Sequence, residues 1–477
     1  MTTLSQLFAP SGQSAPALSV SGVTHDSRLV QPGFVFVAIA GVPLPSRAPL
    51  DGHDYIPQAL GRGAVAVVGT RDLDLPVPYL KVSDARAALA DLSAAFWGYP
   101  GKKLELIGVT GSKGKTTVTV LIHHLLQSIK PPVGQLSTVG IKTGNEELIL
   151  PGHFTTPEAP QVQEILHKFV EAKCEWAALE VSSHALALER VRGLEYQVGV
   201  FTNLYEDHLD FHGSLENYFN EKRKLLERSK FRVVNADNEW TKTLKGWANT
   251  WTYGDRGDWR AENIVEESRG LSFAVKSPQG YLKVQVPMIG RFNVSNVLAA
   301  LAALTAEASR LQDLEGLLEN FPGVRGRMQL VQAEPFRAIV DFAHTGASLQ
   351  AVLQTLRPTT KGRLIVVIGA AGNQDPSRRT GIGQVAAQFA DFAIFTEEDY
   401  RTEPLEAILH TMAQAHGDPQ RYILVPDRHQ AIRWAVEQAG PGDTLLFSGK
   451  GHERALERGF DSIPWNEVEE VRQALGL

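Results

Sequence analysis

The sequence predicts an α/β protein divided into three domains. Three observations carry this. The chain has 477 residues, too many for one core at about 100–200 residues per domain. Short apolar runs alternate with helix-patterned stretches, the order that gives parallel strands joined by crossover helices. A glycine-rich loop, "GVTGSKGKTTVTV" at 108–120, sits where one such strand should pass into a helix.

Residues 1–100 form the first block. The strand-like runs "FVFVAIAG" and "GAVAVVG" are separated there by Gly- and Pro-rich turns, which predicts a mixed α/β domain. "WGYPGKK" (97–103) reads as a linker. The second block, 101–325, places "LELIGVT" before the helical "KTTVTVLIHHLLQ" and adds "EWAALEV" and "QVGVFTNL". A parallel sheet of the P-loop ATPase kind follows from that order, with a helix over "NVSNVLAALAALTAEA" near its end. The third block, 326–477, begins within "FPGVRGRMQLV" and carries the strands "AIVDFAH", "RLIVVIGA", "DFAIFTEE" and "DTLLFSGKG". Each ends in a glycine, a polar residue or a charge, as ligand-bearing strand ends of a Rossmann-like sheet do.

Composition narrows the class. Hydrophobic content of 43% and charged content of 21% are those of a globular protein, and a net charge of −6 without a basic run speaks against nucleic acid as a partner. The single cysteine, Cys174, excludes a disulfide framework within the chain and a multi-cysteine zinc site, and reads as a core residue. No signal-like N-terminus and no apolar run of about 18–20 residues is present. A soluble cytoplasmic protein without membrane insertion is the expectation.

Gly111, Ser112, Lys113, Gly114, Lys115 and Thr116, with Thr117 behind them, form the candidate phosphate cradle. Glycines let backbone N–H groups curl round phosphate oxygens, and the helix N-terminus adds a favourable dipole. Lys115 would reach the terminal phosphates of ATP and the Thr116 hydroxyl would ligate Mg²⁺. The strict P-loop pattern fails at one position, where Val109 stands for the first glycine. Downstream, "LEVSSHALALERV" places Glu180 at a strand end, and "FTNLYEDHLDFHGSLENYFNEKRKLL" offers Asp207, His208, Asp210 and His212. Glu180 and His208 suit further Mg²⁺ ligation, although imidazole is an unusual Mg²⁺ ligand; a solvated loop with capping aspartates is the other reading of that composition.

T-G-S-K-G-K-T-T resembles the loop of the Mur ligase superfamily, with Lys113 in place of its usual Asn. E-V-S-S-H, T-N-x-x-x-D-H-L-D-x-H-G and Y-F-x-x-K resemble, more narrowly, its MurE branch, the UDP-N-acetylmuramoyl-tripeptide synthetases. "THDSRLVQPGFVFVAIAG", "DGHDYI", "GRFNVSN", "VDFAHTGASL" and "GKGHE" extend the likeness over nearly the whole chain. The resemblance implies an ATP-dependent ligase of peptidoglycan precursor synthesis that adds a diamino acid to UDP-MurNAc-L-Ala-D-Glu through an acyl phosphate, with ATP and Mg²⁺, acting as a monomer.

By the same resemblance, residues 1–100 bind the uridine nucleotide, 101–325 bind ATP and Mg²⁺, and 326–477 bind the amino acid. Lys222 would be carbamylated. Lys115, Glu180, His208 and Lys222 would form the catalytic set, and Thr116, Glu180, His208 and Lys222 the metal set. Asn293, Asn296, Arg325, Asp341 and His344 would approach ATP. Ser27, Thr155, Thr156, Ser182 and Arg190 would contact the muramoyl substrate, with Leu188 where a glutamine is usual. Gln374, Glu398, Asp399, Arg401, Gly449 and Glu453 would meet the amino acid.

Two departures bear on that amino acid. The D-N-P-R motif of diaminopimelate-adding members reads Glu398, Asp399, Tyr400, Arg401, and an arginine that binds amino-acid carboxylate is Gln374. Losing a cation and gaining acids favours L-lysine or L-ornithine over meso-diaminopimelate, while Arg401 keeps one clamp for a second carboxylate. The rivals are a folylpolyglutamate-synthase-like or MurF-like ligase, or a nucleotide-binding relative without catalysis.

Overall fold

The computed structural model describes residues 2–42, 50–144, 146–148, 155–244, 246–267 and 270–477. The chain folds as two compact units. The first comprises Met1–Arg260, Ser277–Gln279 and Asn296–Asp313; the second comprises Ala261–Lys276, Gly280–Ser295 and Leu314–Leu477.

In the first unit, β1 (Gly22–Thr24), β2 (Phe34–Val37), β3 (Ala66–Gly69) and β4 (Tyr79–Lys81) pair in that order, all parallel. The apolar runs seen in the sequence are β2 and β3. Helix α1 (Ala85–Phe96) is capped by Asp84, whose carboxylate accepts from the Arg86 and Ala87 N–H groups, and lays Leu89 and Leu92 on the sheet.

The larger sheet of this unit has eight strands: β5 (Glu105–Thr110), β6 (Val133–Ser137), β7 (Gly140–Thr143), β8 (Glu146–Leu148), β9 (Trp176–Glu180), β10 (Tyr196–Phe201), β11 (Ser229–Asn235) and β12 (Thr250–Tyr253). Their order is β8-β7-β6-β9-β5-β10-β11-β12, parallel from β6 to β12 and antiparallel at β7 and β8. Central β5 buries Leu106, Ile107 and Val109 completely, as an unbroken apolar strand covered on both faces should. Helix α2 (Lys115–Ile129) follows it, and the chain then crosses beyond β9 to form β6. In register, Glu180 lies beside Val109 and Phe201 beside Thr110. Three adjacent strands therefore release their loops at one edge of the sheet, where doubly wound folds collect ligands. Helices α3 (Ala159–Glu171) and α4 (Leu215–Glu227) complete the part of the unit that matters here, and Cys174 is buried in the core.

Strands β13 (Arg260–Glu267), β14 (Gly270–Ser277) and β15 (Gly280–Val286) form a three-stranded sheet, and helix α5 spans Phe292–Glu307. The second unit contains β16 (Gln329–Gln332), β17 (Arg337–Asp341), β18 (Leu364–Ile368), β19 (Phe392–Phe395), β20 (Tyr422–Leu424) and β21 (Thr444–Ser448) in the order β16-β17-β21-β18-β19-β20. All are parallel except edge strand β16, which matches the expected Rossmann-like sheet. Helices α6 (Gly346–Leu356), α7 (Ser377–Phe389) and α8 (Leu405–His416) cover one face through Leu353, Ile382 and Met412. Helices α9 (Arg428–Gln438) and α10 (Glu467–Leu475) cover the other through Ile432 and Val471. Among the described residues no helix is long and apolar enough to cross a membrane.

Arg428 lies at the base of α9 with no exposed surface. Its guanidinium donates to both Glu467 oxygens at 2.5 and 2.9 Å and to the Ser448 and Glu397 carbonyls at 2.8 and 3.1 Å. It ties α9 and α10 to the ends of β19 and β21. Arg428→Ala should strand the Glu467 charge and lower stability by about 3–5 kcal/mol, read as a shift in the urea transition of the second unit; an unshifted transition would show that the pair contributes nothing.

Candidate active site

The loop after β5 is shaped by glycine. Gly111 has φ +141°, and a Cβ there would lie 1.9 Å from Thr202 Oγ1. Gly114, φ +86°, caps α2, and a Cβ on it would lie 2.6 Å from Asn296 Oδ1. The segment after β10 clamps the loop. Lys113 N donates to Asn203 Oδ1 at 2.9 Å, Thr202 Oγ1 and Asn203 Nδ2 donate to the Lys113 carbonyl at 2.6 and 3.1 Å, and Ser112 N donates to the Asn203 carbonyl at 2.8 Å. Lys115 Nζ bends back onto the Gly111 and Ser112 carbonyls at 3.1 Å each. Backbone N–H groups at the start of α2, where Thr116 and Thr117 sit, have no helical acceptor, so this edge is suited to an anion.

The carboxylate of Glu180, 2% exposed, is held from two sides. Thr116 Oγ1 donates to Oε1 at 3.0 Å, and Thr138 donates to Oε2 from both N and Oγ1 at 2.9 Å. Thr138, at the end of β6, escapes a reading of the sequence because nothing but its place after a strand marks it. Thr156 Oγ1 donates to the Glu180 carbonyl at 2.9 Å and accepts from Ser182 N at 3.1 Å, which gathers Thr155, Thr156 and Ser182 at the same edge. Arg190 donates to the Thr156 carbonyl at 3.0 Å and pairs with Glu158 at 2.6 Å.

Lys222, on α4, is 1% exposed; its Nζ donates to the Gly111 carbonyl at 2.7 Å and lies 4.5 Å from the centre of the Tyr218 ring. Burial, reinforced by the neighbouring Lys115 charge, holds this amine well below the usual lysine range. His208 has φ +53° and a side chain 49% exposed; its ring stands 4.9 Å from that of His184 and 6.2 Å from that of Tyr218. Burial, followed by the neighbouring imidazoles, lowers His184 and His212 to about 4. His212 Nε2 meets Ser183 Oγ at 3.0 Å.

The structure thus joins Thr116 to Glu180 and brings Lys115 and Lys222 onto one carbonyl, while the contacts of His208 are to His184, Tyr218 and Asp207. Among the described residues no set of three or more His, Cys, Asp or Glu side chains is arranged to hold a metal. What Thr116, Thr138 and Glu180 offer is a small group of hard oxygen donors, the chemistry that suits Mg²⁺ rather than a soft metal.

Of the remaining nucleotide candidates, Asn296 borders Gly114, and Asn293 Nδ2 donates to the Ile289 carbonyl at 2.8 Å. Asp341, at the end of β17, accepts from Met328 N and Ala343 N at 2.8 Å each, and burial raises its carboxyl. His344 Nδ1 meets the Phe342 carbonyl at 2.8 Å, and Arg325 lies half-buried in the turn before β16. In the N-terminal sheet domain, buried Ser27 donates to Gln58 Oε1 at 2.7 Å.

The amino-acid candidates gather at the strand ends of the second unit. Glu398 and Asp399 follow β19, and Gly449 follows β21. Lys450 is fully buried and bridges Asp399 Oδ1 at 2.7 Å and Glu453 at 2.6 Å. In the sequence this lysine is marked only by its place between two glycines with an acid three residues on. Glu398 Oε2 is buried without a hydrogen-bond partner, and a Cβ on Gly449 would lie 3.2 Å from it. Burial pushes the Glu398 carboxyl up to about 7, against the opposing Lys450 charge. Arg401, φ +51°, donates to the Gly372 carbonyl at 2.9 Å, and Gln374 Oε1 accepts from Arg378.

Sequence families matching the chain are the Mur ligase family, catalytic domain, over residues 19–97, the Mur ligase middle domain over 109–304, and the Mur ligase, glutamate ligase domain over 326–451. A UDP-N-acetylmuramyl-tripeptide synthetase of Deinococcus radiodurans is 49% identical, covering 98% of this chain and 97% of that protein. A UDP-N-acetylmuramoyl-L-alanyl-D-glutamate–2,6-diaminopimelate ligase of Geobacillus kaustophilus is 40% identical over 94% of both. A solved 2,6-diaminopimelate ligase of that type matches with a TM-score of 0.70 at 30% identity, covering 100% of this chain and 99% of the other. MurF of Acinetobacter baumannii shares the fold at 20% identity, with a TM-score of 0.65 and coverage of 94% and 95%.

The Glu398 carboxyl has a pH consequence. Its folded pKa lies above the ordinary 4.5, so the unfolded chain ionises first and stability falls as pH rises from about 4.5 to about 7, after which the loss is complete. Glu398→Gln should remove this slope, making the ligand-free variant more stable than the parent above pH 7 with the difference vanishing toward pH 5. Thermal unfolding across that range measures it; parallel curves for the two proteins would contradict it.

Proposed function

The chain belongs to the Mur ligase family, and from that premise we propose that it joins a diamino acid to UDP-MurNAc-L-Ala-D-Glu, the third-residue step of peptidoglycan precursor synthesis. An ATP-dependent ligase of this family must turn a poor electrophile, a carboxylate, into a good one. The observation that carries the reading is the meeting of Lys115, Thr116, Glu180 and Lys222 round Gly111–Thr116 at three adjacent strand ends.

In the proposed reaction, the substrate carboxylate attacks the γ-phosphorus of ATP, and ADP leaves with the electron pair of the broken bond. The resulting acyl phosphate is attacked at carbon by the amine, and the tetrahedral intermediate collapses with loss of phosphate. Little covalent chemistry falls to the protein; positioning and charge neutralisation do the work. Lys115 and the first N–H groups of α2 would hold the phosphates. Mg²⁺, carried by Thr116 and Glu180, would neutralise developing phosphate charge. Burial lowers the Lys222 amine toward the uncharged form that reacts with CO₂; carbamylation would place an anion beside Glu180, with His208 as a further proposed metal ligand. The domains proposed are 1–100 for the uridine nucleotide, with Ser27, 101–325 for ATP and Mg²⁺, and 326–477 for the amino acid. The protein would act as a cytoplasmic monomer.

For the amino acid, L-lysine or L-ornithine is proposed over meso-diaminopimelate. Asp399 and Glu453 both pair with Lys450, Glu398 lies in the field of the same ammonium, and Glu398 Oε2 has no hydrogen-bond partner. A second ammonium fits such a pocket; a second carboxylate would add to its surplus of negative charge. The names of the Geobacillus relative and of the solved ligase, together with Arg401, favour diaminopimelate, so the two readings need a direct comparison.

Phosphate release should require ATP, UDP-MurNAc-L-Ala-D-Glu and a diamino acid together, with kcat/KM for L-ornithine or L-lysine at least about tenfold above that for meso-diaminopimelate, equivalent to about 1.4 kcal/mol. Preferential turnover of diaminopimelate would overturn the acceptor assignment, and no turnover with any of the three would overturn the function. Lys222→Ala should lose about 10²–10³-fold in kcat and regain part of it with added formate or acetate. Loss without rescue would argue against an anion at this position.

A further inference from the structure

Two loops frame the amino-acid pocket of the second unit, and they are bolted together. Gly372 N donates to the Asp399 carbonyl at 2.8 Å, Asn373 N donates to Glu403 Oε2 at 2.9 Å, and Thr402 Oγ1 donates to Asn373 Oδ1 at 3.1 Å. A Cβ on Gly372 would lie 2.0 Å from the Tyr400 carbonyl, so the loops cannot separate without losing this contact. Whatever amino acid binds here brings a cationic end, which the acids serve, and a carboxylate, which needs a cation of its own.

Most cations near the pocket are already committed to carboxylates. Lys450 is held by Asp399 and Glu453, and Arg428 by Glu467. Arg458 is held by Glu397 at 2.6 Å. Arg379 makes a two-pronged contact with Glu403 at 2.6 Å for each bond. Arg401 has one nitrogen on the Gly372 carbonyl. Arg378, like Arg401, donates to a neutral oxygen rather than to a carboxylate. It is exposed at the start of α7, and the partner of its guanidinium is a neutral amide, Oε1 of Gln374 one turn earlier. The nearest carboxylate in sequence, Asp375, has both oxygens on Ser377, at 2.9 Å from its N and 2.7 Å from its Oγ.

We propose that Arg378, steadied by Gln374, is the specificity-determining residue that reads the acceptor's carboxylate. The inference rests on the reading of this pocket as the amino-acid site. A guanidinium holding one neutral oxygen keeps further N–H donors in the fixed fork that matches a carboxylate, and a charge-assisted contact of that kind is about twice as strong as a neutral one. Gln374 is then not a missing cation but the rest on which the cation is presented. Asp375 lies in the field of the guanidinium, but the side-chain amide at 374 adds no negative charge, which a carboxylate there would.

The test compares L-ornithine and L-lysine with their α-carboxamides, which keep both amines and lose only the negative charge. Wild type should prefer each acid over its amide by at least about tenfold in kcat/KM. Arg378→Ala should raise KM for the acids by about tenfold with kcat within about twofold, leave KM for the amides unchanged, and so collapse the acid/amide ratio. Gln374→Arg placed in the Arg378→Ala background should restore that ratio, and Arg378→Lys should restore part of it. A structural role would move acid and amide together. Retention of the wild-type ratio by Arg378→Ala overturns this inference alone; absence of turnover with any diamino acid in wild type overturns the proposed function as well.

Discussion

Two lysine ammonium groups on one carbonyl oxygen set the terms for this protein. Lys115 and Lys222 both donate to Gly111 O, at 3.1 and 2.7 Å, and Lys222 is buried. Two cations so placed repel in a medium that screens them poorly, while Asp207 and Glu180 act on Lys222 in the opposite sense. Relief comes by keeping Lys222 neutral or by bringing an anion to the loop. Either resolution serves a phosphate site: the neutral amine is the reactive one, and the anion is the ligand. Gly111 makes the arrangement possible, since only a residue without a side chain fits its φ against Thr202.

The second unit poses the opposite problem. Round Glu398, Asp399 and Glu453 stand against Lys450 and Arg428, and burial more than the neighbouring acids raises the Glu398 carboxyl. On the proposed reading, each unit buries charge where its substrate would sit. Such burial is costly to stability, and proteins tolerate it where ligands bind.

Much of this is legible in the sequence. The strand–loop–helix at 105–129 and the unbroken apolar runs of the parallel strands are local patterns, and local patterns survive folding. The expected Rossmann-like sheet of the third block is present for the same reason. The stretch "WGYPGKK" reads as a linker from its composition, yet Pro100 is buried and Gly101 leaves no space for a Cβ beside Leu194, 2.6 Å away; composition marks a turn but not what packs against it. Thr138 and the Arg428–Glu467 pair are invisible in the sequence because they are partnerships across 42 and 39 residues. The motif sets His208 among the metal ligands, whereas its ring neighbours are His184 and Tyr218.

Overall likeness and acceptor choice separate for a physical reason. Relatives of 49% and 40% identity carry names that differ in how much they say of the amino acid. On the proposed mechanism, the first chemical step needs phosphates and a carboxylate held in line, which would constrain the Gly111 loop, Glu180 and Lys222. The choice of amine needs only the sign and position of a few charges on two bolted loops. Exchanging one side chain at 374, 378 or 398 inverts the local field without disturbing a strand, because these residues lie beyond the ends of β18 and β19 and carry none of the sheet's hydrogen bonds. On the proposed reading, discrimination between a free ammonium and an ammonium paired with a carboxylate turns on the charges the pocket holds, where Glu398, Asp399 and Glu453 face Lys450.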